Sequence, residues 1–103
     1  MLELKTKQED LYTKMVNMLN ISNKGLTYDT GSSAISFLIS NFTEQYTYAD
    51  VKNEKLVIKH INSMSGKYNS IRFNSSFLKK FFMEYMTLYY ETDTVQKNNY
   101  DSD

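Results

Sequence analysis

The sequence predicts an α+β domain, and three observations carry the prediction. Apolar residues recur at helical spacing over the first twenty residues and again between Phe77 and Tyr90. Between these stretches, Lys55 to Asn62 is rich in β-branched residues and Lys67 to Phe73 alternates polar with apolar positions across a Ser63-Met64-Ser65-Gly66 turn, the pattern of a β-hairpin. The chain is 103 residues long, a size that one hydrophobic core supports. A single globular domain is expected over residues 1–91. Residues 92–103 are polar and lack periodicity, and are expected to form a disordered acidic tail.

Each element has a local reason. Thr6-Lys7-Gln8-Glu9 has the form of a capping box, in which the Thr hydroxyl and the Glu carboxylate each satisfy a free amide at a helix start. A helix is therefore predicted from Thr6 to about residue 20, with Leu4, Leu11, Met15, Met18 and Leu19 on one face and Gly25 ending it. Leu26-Thr27-Tyr28 reads as a short extended piece closed by Asp29-Thr30-Gly31, and Ser32 or Ser33 caps the next element. In residues 34–42, Ile35, Leu38, Ile39 and Phe42 match a helix while Ile35, Phe37 and Ile39 match a strand; the longer match and the Ser pair favour helix. Thr47-Tyr48-Ala49-Asp50 again places a cap three residues before a carboxylate, so 47–55 is predicted as a short helix. The rival is a strand over 45–51, which would make the fold a three-stranded antiparallel meander packed by helices.

With Asn62 facing Lys67, the hairpin register sets Leu56 opposite Phe73 and Ile58 opposite Ile71 on a core face, and His60 opposite Asn69. The other face carries Lys55, Lys59 and Arg72 with Val57, Ile61, Tyr68 and Ser70. Asn74-Ser75-Ser76 caps a last helix, 77–90, whose polar residues Lys80, Glu84, Thr87 and Glu91 form one narrow stripe. Such a helix is buried on more than one side.

Composition excludes several chemistries. There is no Cys and one His, so a disulfide scaffold, a Cys/His zinc site and a thiol nucleophile are all excluded. The chain holds no Gly-rich phosphate loop, no His-x-x-x-His pair and no Gly-x-Ser-x-Gly elbow, and its carboxylates are scattered. A non-enzymatic protein without cofactor or metal is expected, with His60 as a structural histidine bonded at the edge of the core. No charged-then-apolar leader and no run near the ~20 apolar residues of a spanning helix is present, so no membrane association and a cytoplasmic location are expected. Arg72 is the one arginine among 12 basic residues, and Lys, Asn, Ile, Tyr and Phe abound, as A+T-rich codons produce. The source expected is a low-GC bacterium, or a phage or plasmid of one.

Twelve basic residues balance twelve acidic ones, but not evenly along the chain. From Lys52 to Lys80 stand Lys52, Lys55, Lys59, Lys67, Arg72, Lys79 and Lys80 against Glu54 alone, whereas the tail is acidic. Lysines and arginines displace counterions condensed on nucleic acid, while hydroxyls and amides bond phosphates. Double-stranded DNA is therefore the expected partner, contacted through a basic hairpin by Lys55, Lys59, Lys67, Tyr68 and Arg72 and helped by Lys52 and Asn53. Arg72 is the side chain best suited to a guanine edge or a narrow minor groove.

The order helix, short strand, helix, helix, hairpin, helix over residues 6–73 and beyond resembles small winged helix-turn-helix DNA-binding proteins. More loosely, the chain is similar to the accessory proteins of conjugative-plasmid relaxosomes on mobile elements. The resemblance implies an accessory or regulatory DNA-binding role. The predicted reading helix 47–55 lacks Arg and Gln, which moves the expected contact to the wing. A homodimer is expected through the aromatic helix 77–90, with Phe81, Tyr85 and Tyr89 at the interface, since Tyr, Phe and Met favour interfaces. The same aromatics support the alternative function, a phage- or plasmid-encoded interaction module that inhibits a host protein.

Overall fold

In the computed structural model, which describes the backbone of residues 2–101 and the side chains of residues 3–92, the fold is all helical. Its elements are α1 (Leu2–Ser22), α2 (Tyr28–Gln45), α3 (Tyr48–Val51), α4 (Glu54–Met64) and α5 (Ser75–Asp101). Among the described residues there is no strand, which overturns the α+β prediction, the winged architecture and the meander alternative together. The tail expected over 92–103 falls beyond the described side chains from residue 93 onward.

Helix α1 starts before the expected capping box, so Thr6 and Glu9 are exposed residues of its body. It ends as read from the sequence: the Asn23 amide N–H donates to Leu19 O at 3.0 Å and Gly25 adopts φ +94°, the left-handed conformation that glycine takes without strain. Of the expected extended piece, Thr27 is extended, with φ −78° and ψ 163°, while Tyr28 already begins α2. Thr27 is its cap, accepting a hydrogen bond from the Thr30 N–H at 3.1 Å, and Tyr28 to Gly31 form its first turn. Gly31 is buried because α1 and α2 meet there: a Cβ at this position would stand 2.5 Å from Asn20 Oδ1 and 3.1 Å from Val16 Cγ1. Helical spacing in residues 34–42 is confirmed, with Ile35, Leu38, Ile39 and Phe42 all buried.

Thr47 and Asp50 form the expected cap, the Asp50 carboxylate accepting from the Thr47 N–H at 2.9 Å. The helix they start lasts four residues. Asn53 then begins a new one by accepting the Leu56 N–H at 3.2 Å on its side chain. This second start is the reason the expected hairpin is absent. Once the chain turns helical at Glu54, Val57, His60, Ile61 and Met64 all come to one buried face. Their burial, about 1.5–3 kcal/mol for each large apolar side chain, exceeds the few tenths of a kcal/mol that β-branched residues cost a helix. An isolated two-stranded hairpin would offer no comparable cover.

The alternation in 67–73 survives in reduced form. After turns at 65–70, residues 71–74 belong to no regular element, with Ile71 and Phe73 buried and Arg72 exposed. Asn69 and Ser70 both have positive φ, 51° and 62°, an unusual pair that reverses the chain over a short span. Asn74 starts α5 as expected, its side chain accepting from the Ser76 N–H at 3.2 Å.

Helix α5 is the organising element, packing against α1, α3 and α4. It runs antiparallel to α1: Lys14 lies over Phe81, Tyr12 stands beside Tyr85, and Gln8 donates to Leu88 O. At the centre of the core, Phe42 meets Phe82 edge to face at 5.3 Å and His60 at 5.2 Å. His60 is 1% exposed and its Nε2 lies 3.1 Å from Leu38 O. The histidine is thus bonded inside the core, on a helix and not opposite Asn69. Burial pushes its pKa below the ordinary histidine value, and the charge of Lys67 adds to the lowering against the opposing effect of the Leu38 bond.

Candidate nucleic-acid interface

The basic residues singled out in the sequence separate into three groups. Lys55 and Lys59 are exposed on α4, one turn apart. At 100° per residue, Lys55, Lys59 and Asn62 fall within a sector of roughly 60°, diametrically opposite the buried Val57 and Met64. The outer stripe of α4 is therefore two cations and one amide over a helix about 16 Å long.

Lys67 and Arg72 are exposed on the connection that follows the C-terminal end of α4. The connection folds back on the helix end, with the Gly66 N–H donating to Ile71 O at 2.9 Å and the Phe73 N–H to Ser65 Oγ at 3.1 Å. Arg72 is further pinned by Asn23, whose side chain accepts from the Arg72 N–H at 3.0 Å and donates to Arg72 O at 2.7 Å. The backbone of the one arginine is thereby fixed to the end of α1 while its side chain stays exposed. Asn23 also brings Lys24 to this end of the molecule. Among the described residues, none of Lys55, Lys59, Lys67 and Arg72 forms an ion pair.

The other predicted contacts serve the fold. Asn53 is committed to capping α4. Lys52 sits over the Tyr48 ring at 5.4 Å and borders a groove with Lys7, Glu84 and Glu91, on the α5 side of the molecule and next to acids. Tyr68 is half-buried, its ring tilted against Phe37 at 5.2 Å and its hydroxyl on Ser33. Lys79 pairs with Glu54. The local excess of positive charge thus narrows to the α4 stripe, Lys67 and Arg72, with Lys80 exposed separately on α5. Sequence reasoning offered Asn62 as a nucleic-acid contact at a hairpin tip and not on a helical stripe, although the i, i+4, i+7 spacing of Lys55, Lys59 and Asn62 carried that signal; it missed Asn23 as the clamp, which joins positions 49 residues apart.

Of the residues expected at a dimer interface, Phe81 and Tyr85 are half covered by α1 and Tyr89 remains 39% exposed. Tyr85 and Tyr89 belong to a chain of tyrosine rings, Tyr12, Tyr85, Tyr89, Tyr90 and Tyr48, with successive centroids 6.1, 6.5, 5.6 and 5.9 Å apart across α1, α5 and α3. Burial raises the pKa of the Tyr85 hydroxyl, with neighbouring tyrosines adding to it. Among the described residues, no three His, Asp or Glu side chains gather as a metal site, and no helix is long and apolar enough to cross a membrane. No family model, curated protein or solved structure matches this chain.

Proposed function

We propose that this chain is a small, non-enzymatic DNA-binding protein that lays the outer stripe of α4 against duplex DNA in an accessory or regulatory role. The observation that carries the reading is the unpaired set Lys55, Lys59, Lys67 and Arg72, gathered along one exposed helix and its C-terminal connection. A B-DNA major groove about 12 Å wide admits a helix, and lysines at its margins reach phosphates. Asn62 brings an amide of the kind that pairs bidentately with adenine, and Arg72 supplies a guanidinium at the helix end. The excess of Lys, Asn, Ile, Tyr and Phe supports a source in a low-GC bacterium or one of its mobile elements. Two copies would carry two such stripes to one duplex, with half-sites set by their separation.

The test is fluorescence anisotropy on a labelled duplex at several salt concentrations. Binding is expected to weaken steeply as salt rises, and the triple variant Lys55→Glu, Lys59→Glu, Arg72→Glu is expected to lower the log–log salt slope by about 3, at ~0.9 per lost phosphate contact. Helical content should be unchanged, since all three side chains are exposed. Absence of binding at 50 mM salt, or an unaltered slope in the triple variant, would overturn the proposal.

A further inference from the structure

A second exposed surface lies away from the basic stripe. The N-terminal half of α1, the first turn of α2 and the middle of α5 enclose an open groove of about 440 Å³ lined by Lys5, Gln8, Glu9, Tyr12, Tyr28 and Tyr85. Tyr28 is 48% exposed, and beyond the groove Tyr89 stacks on Tyr85 along α5. Tyrosines supply large contact area at low entropic cost and concentrate at protein interfaces.

The charges on the rim indicate what fits this groove. Lys5 and Glu9 are both exposed, one helical turn apart, and among the described residues neither forms an ion pair. A lysine four residues before a glutamate is the weaker order for pairing within a helix, which leaves both charges available. Across a two-fold axis passing between residues 5 and 9, an antiparallel copy of α1 sets each Lys5 against the partner's Glu9. The pair is thus complementary to itself, as the interface of a symmetric dimer requires. A partner carrying a uniform charge would meet one favourable and one repulsive contact here. We propose that this tyrosine-lined face docks a second copy of the chain, α1 against α1, sealed at the rim by two reciprocal Lys5–Glu9 pairs. This goes beyond the DNA-binding reading and does not depend on it.

Sedimentation equilibrium of the full chain from 1 µM to 1 mM tests the proposal. The wild-type protein is expected to dimerise within this range. Lys5→Glu or Glu9→Lys alone places like charges together and is expected to weaken association about tenfold, while an equimolar mixture of the two single variants, whose 5/9 contacts are again of opposite sign, restores it. Tyr28→Ala is expected to weaken it as well, with unchanged circular dichroism because the ring is largely outside the core. A protein that remains monomeric to 1 mM overturns the proposal and leaves the face to a different protein. A dimer indifferent to the single charge reversals, or a mixture of the two single variants that fails to associate, also overturns it.

Discussion

Lowering the pH from 7.5 to 5.5 should destabilise this protein through one side chain. The chain holds one histidine and no cysteine, so His60 is the only side chain whose ordinary pKa lies in that interval. In the folded state His60 is 1% exposed, bonded to Leu38 O and set edge-on to Phe42 and Tyr46. Its pKa is lowered, chiefly by burial. An unfolded chain therefore takes up the proton first, near pH 6.5, while the folded protein still excludes it. More protons are bound by the unfolded state, so stability rises with pH across this window and falls as pH drops through 6.5. One proton limits the slope to about 1.4 kcal/mol per pH unit. For a domain whose total stability is ~5–15 kcal/mol, that is a large share. Urea unfolding followed by circular dichroism at pH 7.5, 7.0, 6.5, 6.0 and 5.5 measures it, above the range where ordinary carboxylates titrate. His60→Gln retains a donor for Leu38 O but does not titrate; it should lose about 1–2 kcal/mol at pH 7.5 from poorer packing and show a flat profile. A wild-type profile flat from 7.5 to 5.5, or a variant with the same slope as the wild type, would refute the reasoning.

Two further substitutions test the packing that presents the basic stripe. Gly31→Ala adds a methyl group 2.5 Å from Asn20 Oδ1, so the Asn20 side chain must move within a closed α1–α2 contact; the expected loss is about 1–2 kcal/mol by thermal unfolding, the overpacking cost outweighing the ~1 kcal/mol helix-propensity gain of alanine. Asn23→Ala removes both bonds that pin Arg72, along with a bond to Leu19 O at 3.0 Å, and should cost about 1–3 kcal/mol in urea unfolding. Amide exchange at Arg72 should accelerate in the same variant, and an unchanged rate would show that the clamp does not hold the connection.

The legible part of the fold is the part encoded within a few residues. The caps at Thr47 and Asn74, the Gly25 ending of α1 and the apolar stripes of α2 and α5 depend on neighbours one to four positions apart, so periodicity and capping reveal them. The segment 55–73 misleads because its apolar residues satisfy two periods at once. Leu56 and Ile58 alternate, while Val57, Ile61 and Met64 recur at helical spacing. The Asn53 cap decides locally between them, yet in the sequence it lies inside the predicted helix 47–55, where an amide reads equally well as a DNA contact. Likewise Thr27, and not Ser32 or Ser33, starts α2, because Gly31 is required at a helix crossing that the sequence does not display.

The sequence by itself determined which residues are apolar, where positive charge concentrates, and that cysteine and zinc-finger chemistry is excluded, because composition and spacing are properties of the chain alone. Only the tertiary structure decided which cations remain unpaired. Glu54 reaches Lys79 across 25 residues, Lys52 joins a groove shared with acids, Tyr68 turns inward to Ser33, and Asn23 holds Arg72 from 49 residues away. The cost of leaving a buried polar group unbonded, and the gain from covering Val57, Ile61 and Met64 with α2 and α5, are realised only when distant segments meet. That long-range closure turned an expected wing into a helix and moved the candidate interface from a hairpin face to the outer stripe of α4.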